Sequence, residues 1–190
     1  MRWSAFPLHP EIPEEGMTLE QLFAGRNFDL AQVMAYLERA ARDAGLPFAR
    51  RTMTYNSRAA QELGKWAESK GRGEDFHRAV FRAYFVEGKN IGRGDVLEEV
   101  IQALNLPVEE ARLALAERPF REAVDSDWAR AREIGITAVP TFIQGDKGLV
   151  GAQPYETLST FLATHRVKRR SAYPGPDPDP GRSPDPGGHP

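Results

Sequence analysis

Cysteine is absent from this chain of 190 residues. Without a thiol, these residues can form no disulfide framework, no Cys-ligated zinc or iron–sulfur site and no thiol nucleophile. Positive and negative charges nearly balance, with 25 Lys and Arg against 27 Asp and Glu and a net charge of −2. This balance gives no general attraction to nucleic acid or to an anionic membrane surface, so we predict neither as a partner.

Long apolar runs are also missing. No stretch approaches the roughly 18 residues that would span a membrane. Residues 1–7 lack the apolar core of a signal peptide, and we therefore expect a cytoplasmic protein. At 41% hydrophobic residues, the chain can bury one core of ordinary size.

Proline is concentrated at the end of the chain. Residues 171–190 contain seven of the 15 prolines, which prevent a helix and remove donors from a sheet. We predict a disordered tail there. The basic residues between 166 and 170 are interpreted as a solvated helix end rather than a nucleic-acid patch. Residues 166–190 are thus a basic helix end followed by a tail.

The rest of the sequence predicts many helices and few strands. A short apolar strand is expected at residues 2–8, and a hairpin at 141–143 and 149–150. Asp29 is expected to cap the first long helix and Gly45 to close it. Apolar residues at helical spacing predict seven helices; these cover residues 29–43, 57–70, 74–85, 95–104, 108–116, 120–134 and 155–165.

The predicted helices are concentrated in the middle of the chain. One strand precedes them, and a hairpin and a final helix follow. This order predicts an α/β fold in which a helical domain is inserted between the halves of a small α/β domain. We place the α/β part at residues 1–16 and 135–165 and the helical insert at residues 17–134.

Four stretches carry a resemblance to a known family; they are residues 6–10, residues 55–57 with the helix that contains Trp66, residues 76–85, and residues 135–142 with 150–155. Together they resemble the DsbA-like thioredoxin family across about residues 1–165. The FrnE-like branch is the most similar type, related to 2-hydroxychromene-2-carboxylate isomerases and kappa-class glutathione transferases. The resemblance implies a thioredoxin-like fold and thiol–disulfide oxidoreductase activity.

The resemblance also implies site residues. Pro140 would be the cis-proline beside the active site, and the backbone of Val139 would pair with an extended thiol-bearing peptide by strand addition. The alternative for Pro140 is an ordinary trans proline that opens a strand. Asn56 would lie at the substrate cleft, as in the isomerase and transferase relatives. The alternative is that Asn56 or Ser57 caps the following helix.

One part of the family pattern has no counterpart. Family members begin with a strand and a Cys-X-X-Cys loop, or a Ser or Cys variant, at a helix N-terminus that lowers the thiol pKa. Met1 falls where the second strand of the family should begin, so no catalytic residue is assigned. We expect an N-terminally truncated thioredoxin-like fold, an incomplete version of a longer protein. The missing strand would leave sheet edges open to self-association.

Three functions remain open. The first is a DsbA-family thiol–disulfide oxidoreductase that is incomplete or inactive alone. The second is a cysteine-free relative that binds peptides or a partner. The third is a glutathione-dependent isomerase relative without its nucleophile segment. Glutathione is a cofactor only in the third, and the expected substrate is a thiol-bearing protein or a small molecule.

Several other side chains have simpler interpretations. His9 and His77 could serve as acid–base groups or metal ligands, but neither has a second ligand at a recognisable spacing, and we predict no metal site. His77 lies beside Glu74 on a predicted helix and is expected to be a surface or capping partner. The aromatic residues with helical spacing are predicted to lie in the core, although one edge of the group at 81–85 could line a cleft; they are Trp66, Phe81, Tyr84, Phe85 and Trp128.

Overall fold

The computed structural model describes residues 2–25 and 29–167. They form two compact units, which comprise Met1–Val139 and Pro140–Pro190 within their described parts. The N-terminal unit contains, in chain order, β1 (Met17–Thr18), α1 (Leu19–Leu22), α2 (Leu30–Asp43), β2 (Met53–Thr54), α3 (Arg58–Ser69), α4 (Gly73–Phe85), α5 (Gly94–Ala103), α6 (Val108–Glu117) and α7 (Arg121–Glu133). The C-terminal unit contains β3 (Thr141–Gln144), β4 (Lys147–Val150) and α8 (Tyr155–Thr164). The predicted domain boundaries stay a prediction.

The seven helices predicted from apolar spacing are confirmed, with ends that differ by at most one residue. The Asp29 carboxylate accepts a hydrogen bond from the Gln32 backbone N–H at 3.0 Å, so it caps α2 as expected. Gly45 lies beyond the end of α2 at a φ of +66°, a conformation in which glycine avoids the steric penalty of a side chain. The short helix α1 and the β1–β2 pair were not predicted.

The core of the N-terminal unit is helical. Helix α3 packs against α4, α6 and α7, and α5 packs against α4 and α6. The largest fully buried side chains are those of Phe76, Leu63, Leu97, Ile101 and Val124. Their burial supplies the main driving force for folding of this unit.

The predicted aromatic core is only partly correct. Trp66 is buried, as expected, whereas Trp128, Tyr84 and Phe85 are half-buried. The prediction for Phe81 is wrong because its side chain is 47% exposed. Helical spacing fixes which residues share a face, but the neighbouring elements decide how much of that face is covered.

The predicted strand at residues 2–8 is wrong. This segment is irregular, and its backbone bonds to helix side chains rather than to a neighbouring strand. The Asp127 carboxylate accepts from the Ala5 N–H at 2.9 Å, and the Gln61 amide donates to the Phe6 carbonyl at 3.1 Å. Because these side chains satisfy backbone groups that would otherwise need a strand partner, the segment is held without a sheet.

The two small sheets are both antiparallel pairs. Strand β1 pairs with β2, with Met17 opposite Thr54. The predicted hairpin is confirmed, with Thr141 opposite Val150 and a tight turn between β3 and β4. Within the described part of the chain, no third strand joins either pair. The predicted tail at 171–190, with most of the basic run before it, lies outside the described residues.

Candidate functional site

The segment between α7 and β3 carries two of the predicted site residues. Helix α7 closes with a hydrogen bond from the Ile136 N–H to the Ala131 carbonyl at 2.8 Å, and the chain then continues irregularly to β3. Val139 is 45% exposed and Pro140 is also exposed. This segment therefore presents its surface to solvent just before the hairpin begins.

The backbone of Val139 is unpaired. Within residues 2–25 and 29–167, neither its N–H nor its carbonyl makes a hydrogen bond. By contrast, the Pro140 carbonyl accepts from the Gly151 N–H at 2.7 Å, which extends the hairpin by one contact beyond the pair of Thr141 and Val150. An exposed residue with a free donor and a free acceptor beside a strand can pair with an added peptide strand.

Asn56 has a structural role in the N-terminal unit. Its Oδ1 accepts from the Arg58 N–H at 2.9 Å, at the first turn of α3. Its Nδ2 donates to the Ile12 carbonyl at 2.7 Å and to the Pro10 carbonyl at 3.3 Å. The capping interpretation is therefore confirmed for Asn56, whereas Ser57 makes no capping bond to the helix backbone with its side chain.

The same bonds limit what Asn56 can offer a ligand. An asparagine amide has two donors and two acceptor lone pairs, and Asn56 uses both donors and one lone pair on its own chain. No hydrogen bond joins it to Val139 among the described residues of the unit that contains both. Its role in substrate binding stays a prediction.

A buried carboxylate was missed by the sequence analysis. The Glu62 side chain is 4% exposed and lies between Arg58, four residues earlier on α3, and Arg118, whose Nη2 is 2.7 Å from Oε1. Burial disfavours the charge, but hydrogen bonds from Arg118 and Arg58 outweigh it and hold the pKa of the Glu62 carboxyl below its ordinary value. Asp125 joins through Arg58 at 2.6 Å.

This cluster holds helices together rather than forming a free acid–base site. Both oxygens of Glu62 accept from arginines, and its lowered pKa keeps it ionised. The spacing of Arg58 and Glu62 was visible in the sequence as a helical pair. Arg118, however, comes from the end of α6, a contact that no local pattern reveals.

A second buried carboxylate anchors the N-terminal segment. The Asp127 side chain is 5% exposed and lies 2.7 Å from the Lys65 Nζ atom. It also accepts from the Ala5 N–H. Its charge is therefore compensated, as a buried carboxylate requires.

The histidines form no catalytic or metal constellation among the residues described. The Nε2 atom of His77 lies 3.5 Å from Glu68, so its carboxylate neighbour is Glu68 rather than Glu74. Glu74 instead accepts from the Trp3 indole N–H at 3.0 Å, and the Trp3 ring lies against His77. His9 contacts the neighbouring Glu11. No group of three or more His, Asp or Glu side chains in the described ranges could hold a metal ion.

Comparison with known proteins decides the family. The DSBA-like thioredoxin domain model matches residues 1–163. This chain belongs to the DSBA-like thioredoxin domain family. The predicted resemblance and the mixed α/β, thioredoxin-like fold class are therefore confirmed.

Individual relatives agree with this assignment. The chain is 30% identical over 105 residues to the uncharacterized protein YwbO of Bacillus subtilis; the match covers 55% of this chain and 52% of that protein. The chain thus spans about half the length of the curated relative it matches. A crystal structure of the probable DsbA oxidoreductase SCO1869 from Streptomyces coelicolor is 25% identical with a TM-score of 0.78, covering 90% of this chain and 76% of that one.

An isomerase shares the fold. The structure of a 2-hydroxychromene-2-carboxylate isomerase has a TM-score of 0.64 at 21% identity, covering 71% of this chain and 66% of the isomerase. The FrnE-like branch and the cis state of Pro140 stay predictions. Among the helices that the structure describes, none is long and apolar enough to cross a membrane.

Proposed function

We propose that this chain serves DsbA-family thiol–disulfide chemistry by binding the substrate, while the reacting thiols come from outside these 190 residues. Family membership over residues 1–163 supports the chemistry, and the absence of cysteine supports the division of roles. A disulfide exchanges by attack of a thiolate on sulfur, and no side chain in this sequence can supply that thiolate. The chain alone is therefore inactive in exchange.

The unpaired backbone of Val139 carries the proposal. A peptide in extended conformation gains main-chain hydrogen bonds when it adds to an exposed strand or strand-like segment. Val139 offers one donor and one acceptor, and its exposed position leaves room for a peptide backbone. Such binding recognises an extended segment of an unfolded or flexible protein. Specificity for a cysteine in that segment would come from the group outside these residues that supplies the reacting thiol.

The test is a binding titration with a defined probe. A short fluorescein-labelled peptide in extended conformation, with its one cysteine blocked as the S-methyl mixed disulfide, is titrated with the full chain by fluorescence anisotropy. Val139→Pro removes the N–H that the peptide would accept from, so affinity should fall about tenfold. Peptide reduction or exchange should stay at the buffer rate for every variant.

Thr137→Pro is the matched control. Thr137 lies in the same segment, and its N–H makes no hydrogen bond among the described residues. This variant adds the same ring without removing the proposed donor, and its affinity should equal that of the unmodified chain. Equal affinities for Val139→Pro and Thr137→Pro, or no binding by the unmodified chain, would overturn the proposal.

The glutathione-dependent alternative is less well supported. Asn56, the residue that this alternative would use, has both amide donors bonded to its own chain. Glutathione as a cofactor and a small molecule as the substrate stay predictions. The cytoplasm as the compartment also stays a prediction.

A further inference from the structure

A pocket of about 220 Å³ lies in the N-terminal unit, apart from the Val139 segment in the chain. Its walls come from the irregular segment before β2 and from the C-terminal end of α4, and they include Arg51, Met53, Tyr55, Tyr84 and Phe85. The Ala49 N–H donates to the Phe85 carbonyl at 2.9 Å, which ties the two walls together.

Arg51 is the cation of this pocket. Its guanidinium carbon lies 4.6 Å from the centre of the Tyr84 ring and 5.4 Å from that of Phe85. Its Nη1 donates to the Tyr84 hydroxyl and to the Met53 carbonyl. The Tyr84 hydroxyl is itself within 3.0 Å of the Thr54 hydroxyl. These contacts fix the plane of the guanidinium.

One edge of the guanidinium has no partner. The Nε atom of Arg51 is buried without a hydrogen bond, and Nη2 makes none among the residues described. The N–H groups of Nε and Nη2 point in parallel and form the fork that donates to both oxygens of a carboxylate. A buried donor without a partner is costly, so an acceptor placed at this edge would relieve that cost.

The charge of Arg51 is also uncompensated. Arg51 makes no ion pair within the two described ranges, whereas its neighbour Arg50 lies 3.1 Å from Glu38. Glu87, next to the pocket residue Gly88, pairs with Arg82 at 3.2 Å and with Lys89 at 3.3 Å. Of the two arginines that line the pocket, only Arg51 therefore lacks a carboxylate partner among the described residues.

We propose that this pocket binds the carboxylate of a small organic acid with an apolar body, held by the Nε and Nη2 edge of Arg51. A single carboxylate neutralises the one free cation. A phosphate dianion would bring a second charge that no other unpaired cation of the pocket meets. The rings of Tyr55 and Phe85 and the side chain of Met53 suit a flat apolar body better than a hydrated one.

Benzoate and benzamide form the test pair because they differ in charge but hardly in shape. The Arg51 Nε–H signal in ¹H–¹⁵N spectra of the full chain should shift saturably with benzoate and stay in place with benzamide. Arg51→Lys keeps the charge and loses the fork, and benzoate affinity should fall at least about tenfold. Its loss of one arginine Nε–H signal also assigns the resonance.

Arg50→Gln is the matched control because Arg50 borders the same pocket but already has a carboxylate partner. Its benzoate affinity should stay within about twofold. Tyr84→Phe removes one of the hydrogen bonds that fix the guanidinium plane and should weaken benzoate binding, but less than Arg51→Lys does. Circular dichroism confirms that each variant is folded.

Three results would overturn the proposal. They are an equal response to benzamide, unchanged affinity in folded Arg51→Lys, and displacement of benzoate by inorganic phosphate at similar concentration. None of these depends on Val139, so the Val139→Pro variant should bind benzoate normally even if the peptide proposal fails.

Discussion

At the scale of single residues, Asn56 connects segments that are distant in the sequence. Its amide bonds the carbonyls of residues 10 and 12 to the first turn of α3. The helix start was predictable from the Asn-Ser pair before an apolar stripe. The donor side of the amide was not, because its partners lie 44 and 46 residues earlier.

Asn56→Ala should lower the free energy of unfolding by about 1–3 kcal/mol, since it removes a cap and leaves the Ile12 carbonyl without its donor. Asn56→Ser is the matched variant, because its hydroxyl offers an acceptor to the start of α3 but loses the amide donors. It should show a smaller loss in urea titrations. A stability of Asn56→Ala equal to that of the unmodified chain would contradict this role.

Glu62 makes stability depend on pH in the acid range. Its pKa is lower in the folded chain than the ordinary value of 4.5, so the ionised form stabilises the fold. That contribution is complete above about pH 4.5 and is lost as the pH falls through the lowered pKa of the folded state.

Glu62→Gln should therefore be less stable than the unmodified chain at neutral pH. The difference should shrink as the pH falls below 4.5, as measured by urea titrations at a series of pH values. If the free energies of unfolding of Glu62→Gln and of the unmodified chain differ by the same amount at every acid pH, Glu62 does not contribute in this way.

At the scale of elements, periodicity predicted the helices well and their burial less well. Helix α2 illustrates the difference, since it forms where expected, yet only Met34 is buried and Tyr36 is 62% exposed. Spacing fixes a helix and its apolar face. Whether another element covers that face depends on tertiary packing that a local pattern does not contain.

The N-terminal segment failed as a strand for a related reason. Its apolar residues fit a strand, but a strand needs a paired neighbour, and the side chains of α3 and α7 bond its backbone instead. Asp127 is central because it also pairs with Lys65.

Asp127→Asn should therefore lower the free energy of unfolding by about 1–3 kcal/mol, because it removes the charge that Lys65 pairs with at 2.7 Å and leaves Lys65 only the more distant Glu68, at 3.6 Å. Asp125→Asn changes an exposed carboxylate on the same helix and should cost much less. Chemical denaturation of both variants gives the comparison. Equal losses would contradict the anchoring role of Asp127.

At the scale of the whole molecule, motif order predicted the family and the fold class. The Val139-Pro140 segment and the stretch at 150–155 are informative only in combination with the helical stretches between them and the N-terminus. The site itself was harder to predict, because hydrogen-bond vacancies such as that of Val139 appear only once the fold assigns every backbone partner.

The two-stranded hairpin predicts weak self-association. Within the part of the chain that the structure describes, no third strand joins the β3–β4 pair, and a strand at the edge of a sheet can pair with another copy. Ile143→Lys places a charge on this pair and should raise the concentration needed for association in sedimentation velocity. Leu162→Lys changes an apolar residue of similar exposure on α8 and should have little effect.

An equal effect of both lysines would indicate a general apolar contact instead of edge pairing. A chain that stays monomeric at every accessible concentration would also contradict the prediction.

The central claim is that this chain binds an extended peptide through the backbone of Val139. The most direct measurement is hydrogen exchange of the Val139 amide, followed by NMR with and without the blocked-cysteine peptide. We predict fast exchange in the free chain, since this N–H has no partner among the described residues, and clear protection when the peptide is bound. An amide that exchanges equally fast at saturating peptide would contradict the account.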